Sequence, residues 1–169
     1  MRGVDQLNEA ADEEAFSAFL QCCGSVKWAR SMVAKRPFQD IHELSVTADH
    51  EWWSLGEEDW LEAFSAHPKI GEKKTAATSE SDRWASEEQS GASQAAIETL
   101  DALREANQDY ERRFGYIFIV CATGKSADEM LALLKARIVN EPDTELRIAA
   151  EEQRRITNIR LNKLLSEVE

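Results

Sequence analysis

Glycine and proline are scarce. The chain has 7 and 3 of them in 169 residues, too few for the tight turns of a many-stranded sandwich or barrel. Cysteine gives no framework either. The three present are Cys22, Cys23 and Cys121. Their number is odd and two are adjacent, and neighbouring cysteines rarely bridge, so a reducing compartment is the simpler reading. No apolar run approaches the roughly 18 residues that span a bilayer. The opening MRGVDQLNEAADEE lacks the apolar stretch of a secretory signal. The closing SEVE is no receptor-read peroxisomal address. These features predict a cytoplasmic protein with no membrane partner. Positive charge is also short: 32 acidic against 20 basic side chains give a formal charge of −12. A field of that sign repels phosphate, and no basic patch interrupts it, so nucleic acid is not an expected partner. Phosphate-cradling glycine loops, Cys-x-x-Cys pairs and histidines at metal-binding spacing are missing too.

What remains is a globular composition, with 43% hydrophobic and 31% charged residues. At this length one domain, 1–169, is expected. Helical periodicity dominates. It predicts helices over 12–22 and 25–36, with Gly24 as the stop between them. Asp40 with Glu43 has capping-box spacing and opens a helix to about Trp53; Ser54 with Glu57 repeats the signal before EEDWLEAFSA. Pro68 and Gly71 break the pattern, 72–82 reads as loop, and a short helix is expected around 84–89. A long helix follows from Ser93 to about Arg113. Residues 116–121 (YIFIVC) are the one β-like run, flanked by Gly115 and Gly124 and with no pairing partner in sight. They predict an extended segment threaded through a helical core. Ser126 with Glu129 caps a helix to about Asn140, and Pro142 opens the last and longest, to about Leu165. The expected fold is all-α, with about eight helices.

Three side chains sit oddly in these elements. His67 continues the apolar stripe of Trp60, Leu61 and Phe64 at a helix end, and Pro68 turns the chain away behind it. That aims an imidazole inward on a rigid exit; the bland alternative is a core histidine stabilised by the helix C-terminus. Glu88 lies one turn after Trp84 and shares its face, although acidic pairs on short helices are usually solvated. Arg160 and Gln153 fall inside the apolar arc of the last helix, among Leu146, Ala149, Ala150, Ile156, Leu161 and Leu164. A guanidinium there needs an anion, which is either an internal acid or an oxygen-rich planar ligand. His42 and His50 read as surface residues, and Cys121 as structural.

Four strings carry a resemblance: AHPKIG (66–71), the Trp-x-x-x-Glu-Gln-x-Gly pattern at 84–91, FGYIFIVCATGKS (114–126) and RITNIRLNKLL (155–165). In this order, over nearly the whole chain, they resemble the OHCU decarboxylase family, the 2-oxo-4-hydroxy-4-carboxy-5-ureidoimidazoline decarboxylases of purine breakdown. The resemblance implies an all-helical fold, no cofactor, and loss of CO2 from a small ureide substrate to give (S)-allantoin. It implies His67 as catalytic acid/base with Glu88 beside it. Pro68, Gln89, Arg160 and the segment Phe118, Ile119, Val120, Cys121 and Ala122 are implied as substrate-binding, the segment through its backbone groups. It also implies a homodimer. One departure stands out: many members have serine three residues before the glutamate, where this chain has Ala85.

The chemistry is consistent with a cofactor-free reaction. The electron pair left by CO2 can move into the adjacent C=N bond of the substrate, so no external electron sink is required. Two other readings stand beside it. One is a non-enzymatic helical adaptor with a groove at Trp52, Trp53 and Trp60. The other is a metal-dependent hydrolase using His67 and Glu88.

Overall fold

The computed structural model describes residues 3–68 and 97–167, and these contain eight helices and no strand. They are α1 (Val4–Glu9), α2 (Asp12–Cys22), α3 (Val26–Ala34), α4 (Ile41–Trp53), α5 (Glu57–Ser65), α6 (Ile97–Phe114), α7 (Ala127–Arg137) and α8 (Pro142–Glu167). The all-α expectation holds. The expected loop at 72–82 and helix at 84–89, with Glu88 and Gln89, lie outside the described residues.

The residues group into two compact units. One comprises Met1–Ala63 with Arg154–Glu169, the other Phe64–Gln153. In the first, α2 packs on α3 and α3 on α4. Phe19 meets Trp28 and Phe38 edge-on at 5.9 and 6.5 Å, the geometry that ring quadrupoles favour. Trp28 is fully buried and its indole N–H donates to the Ala48 carbonyl at 3.1 Å, so burying the ring strands no donor. Trp60 does the same towards Trp52 at 3.1 Å. Trp52 and Trp60 are 2% and 8% exposed and Trp53 38%, so two of the three tryptophans belong to the core of this unit rather than to an exposed face.

Cap chemistry places several boundaries. Asp40 accepts from the Glu43 N–H at 2.8 Å, and Glu43 reaches back to the Gln39 N–H at 2.5 Å. Ser126 accepts from the Glu129 N–H at 3.1 Å. The second expected capping box is corrected: Ser54 ends α4 in helical geometry, and its hydroxyl donates backwards to the His50 carbonyl at 2.7 Å. Gly56 leads into α5 instead, and Asp59 accepts its N–H at 3.3 Å. Gly24 is not the residue that turns the chain after α2; Cys23 already leaves in extended geometry. α1 was not foreseen because only Leu7 of its six residues is buried, too little for a periodic signal. It is held by Arg36, whose Nη1 donates to the Leu7 and Ala10 carbonyls at 2.9 and 2.7 Å.

In the second unit α6 packs on α7. Their buried faces, Leu103, Tyr110, Met130 and Leu134 among them, enclose Phe118, Val120 and Ala122 of the extended segment. Gly115 ends α6 with φ +85°, its N–H donating to the Glu111 carbonyl at 2.8 Å. A Cβ would meet nothing within 4 Å there, so the backbone angle, not crowding, is what asks for glycine.

Candidate active site

His67 lies two residues beyond α5, and its N–H closes a last turn on the Phe64 carbonyl at 3.2 Å. Phe64 is fully buried and packs on Tyr116, with ring centroids 5.3 Å apart, which anchors this exit. The imidazole is partly buried, and its Nε2 stands 2.6 Å from Oε1 of Gln153 on α8. His67 therefore does point inward, as its position on the apolar stripe predicts. Pro68, next in the chain, is also partly buried.

The second component is the segment 118–122, buried throughout. Its peptides are held by charged side chains from three places. Arg137 at the end of α7 donates through Nη1 to the Ile119 carbonyl at 2.8 Å. Glu152 on α8 accepts the Cys121 N–H at 3.0 Å, and Lys125 donates to the Cys121 carbonyl at 2.7 Å. In extended chain, residues two apart present their polar groups to the same side, so the protein grips one edge of the segment through Ile119 and Cys121. The thiol of Cys121 is buried and in no disulfide, in keeping with a structural side chain.

Arg137 is itself tied down. Its guanidinium covers the Phe118 ring, 4.4 Å from the centroid, and gives Nε and Nη2 to Glu145 Oε2 at 2.9 and 2.5 Å. Glu145 is fully buried and also accepts from the Tyr110 hydroxyl and from Asn140 at 3.1 Å. Burial first, and the bond to Glu145 second, hold the Tyr110 phenol far above its usual range, so it serves as a permanent donor.

Arg160 belongs to the first unit and is 4% exposed, so the reading from the apolar arc holds. Its charge acts on the Cys23 thiol, which burial nevertheless pushes up to about 11; Thr157, one turn before Arg160, also bonds that thiol. Among the described residues no group of three or more His, Cys, Asp or Glu could hold a metal ion. His42 and His50 are exposed, as expected.

Sequence reading missed Glu145, Glu152, Arg137 and Lys125, and placed Gln153 in the apolar arc without a role. A signal for the acids did exist. Glu145, Ala149, Glu152 and Ile156 follow one another at helical spacing along the edge of the α8 arc, and both acids are buried.

Comparison with known proteins bears on this arrangement. A family model described as OHCU decarboxylase matches residues 8–162. The uric acid degradation bifunctional protein TTL of Arabidopsis thaliana is 40% identical over 149 residues, 86% of this chain, and the chain spans 46% of that protein's length. The 2-oxo-4-hydroxy-4-carboxy-5-ureidoimidazoline decarboxylase of Amia calva is 30% identical over 170 residues, covering 98% of this chain and 94% of that protein. A crystal structure of OHCU decarboxylase in the presence of (S)-allantoin superposes with a TM-score of 0.77 at 39% identity, covering 94% of this chain and all of that one. With its all-helical architecture and a family match that runs through both units, the chain belongs to the OHCU decarboxylase family.

Proposed function

We infer that the protein decarboxylates 2-oxo-4-hydroxy-4-carboxy-5-ureidoimidazoline to (S)-allantoin and CO2 in urate degradation, with residues 1–169 acting as one catalytic domain and no cofactor taking part. The observation that carries this reading is His67: an imidazole fixed at a proline-closed helix exit by Gln153 at 2.6 Å, in the family's motif position. The names of the relatives support it.

In the proposed reaction the bond from the hydroxyl-bearing carbon to the carboxylate breaks. Its electron pair forms a C=C bond to the neighbouring carbon, whose C=N pair moves to the ring nitrogen and takes a proton. The resulting enol then loses its hydroxyl proton and gains one on carbon, on a single face. Imidazole titrates near neutral pH and suits these transfers, so His67 is the acid/base. Arg160 offers a planar fork to a carboxylate or ring oxygen. Glu88 and Gln89 provide an acceptor and an amide for ring or ureido N–H and C=O groups. Pro68 shapes the wall, and residues 118–122 meet the flat ring with backbone groups. A cytoplasmic location and a homodimer complete the reading.

The test adds protein to freshly generated substrate and follows allantoin by circular dichroism. Wild type is expected to give the S enantiomer only, and His67→Ala to give none above the uncatalysed rate with an unchanged far-ultraviolet spectrum. Racemic product at the uncatalysed rate from the wild type would refute the assignment. A folded His67→Ala with normal turnover would refute the role of His67.

A further inference from the structure

Gln153 is fully buried on the apolar stripe of α8, where a leucine would fill the same volume with no polar atoms to satisfy. An amide in such a place costs stability unless its polar atoms are bonded. Its Oε1 stands 2.6 Å from His67 Nε2. An amide oxygen only accepts, so the neutral ring must carry its proton on Nε2, and Nδ1 then carries the lone pair. The preceding residue, Glu152, bonds the Cys121 N–H at 3.0 Å. Two consecutive side chains of one rigid helix thus reach the imidazole and the extended segment.

We propose that Gln153 is a positioning residue for the reaction: it fixes His67 as the Nε2–H tautomer, so that proton exchange with the substrate runs through Nδ1. The role rests on His67 being the acid/base, but the tautomer is a property of the ring that can be read without turnover. A tertiary amide contact of this kind sets both which nitrogen reacts and the angle at which it is presented. A misplacement of about 1 Å at a reacting group lowers rate on the order of 10²-fold.

The experiment has a spectroscopic and a kinetic arm. In protein labelled with ¹⁵N-histidine, long-range ¹H–¹⁵N correlation of His67, assigned by its loss in His67→Ala, should show a protonated Nε2 and an unprotonated Nδ1 in the wild type above the titration of the ring. In Gln153→Met, which keeps length and volume without the acceptor, the two tautomers should mix. There kcat should fall about 10–100-fold, with KM changed less than about threefold and thermal stability retained. Gln153→Glu restores an acceptor oxygen and should recover the Nε2–H form and most of the lost kcat. A wild-type ring protonated on Nδ1 overturns the proposal, as does Gln153→Met with wild-type kcat. If His67→Ala keeps full turnover while the wild-type ring is held as Nε2–H, it is the acid/base assignment that fails, and the tautomer lock stands without a catalytic use.

Discussion

Replacing Glu145 by leucine is the sharpest test of how the extended segment is held. The carboxylate is fully buried and accepts two bonds from Arg137, at 2.9 and 2.5 Å, one from Tyr110 and one from Asn140. Arg137 is 8% exposed, so the substitution leaves a buried guanidinium without its counter-charge. Breaking one side of such a pair costs about 3–5 kcal/mol. At a urea slope of about 2 kcal/mol per molar, the unfolding midpoint should fall by roughly 1.5–2.5 M. The double variant Glu145→Leu with Arg137→Met removes both charges, and buried pairs replaced by apolar residues are often neutral in stability. Its midpoint should therefore recover by at least half. Its turnover should not recover, because Arg137 also holds the Ile119 carbonyl at 2.8 Å and covers the Phe118 ring. A single variant within about 1 kcal/mol of wild type would refute the reasoning, and so would a double variant no more stable than the single.

Arg160→Lys keeps the charge but loses the fork, and is expected to weaken binding or turnover by about 1.5–3 kcal/mol with little change in urea midpoint. Arg160→Gln should lose still more activity than stability; its unfolding beside a fully active Arg160→Lys would leave Arg160 structural. Cys23 predicts an alkaline transition. Its thiol rises from 9.0 to about 11 on folding, chiefly by burial, so the folded chain keeps a proton that the unfolded chain has released. Stability should therefore fall as pH climbs from about 9 to about 11, by about 3 kcal/mol for this group, and urea titrations of Cys23→Ala should lack that part of the slope. Turnover is expected to survive exhaustive chelation; loss on chelation with recovery on Zn²⁺ would favour the hydrolase reading.

The helices were legible because their signals are local. Asp40 and Ser126 announce their helices through side chains that reach only three residues, and Gly115 ends α6 through a backbone angle. The same locality explains the error at Ser54, where two local bonds competed and the backward one to His50 won. His67 and Arg160 were visible as polar residues on apolar stripes, which is a one-dimensional pattern. What the sequence by itself determined, then, is the all-helical class, most boundaries, the inward histidine and the motif set that marks the family. The partners of those residues were not legible. Gln153 lies 86 positions from His67, Glu152 lies 31 from Cys121, and Glu145 lies 35 from Tyr110. Hydrogen bonding and charge pairing depend on distances of about 3 Å that no periodicity encodes, so only the packed tertiary structure decided which buried acid meets which donor, and which nitrogen of His67 faces an amide oxygen.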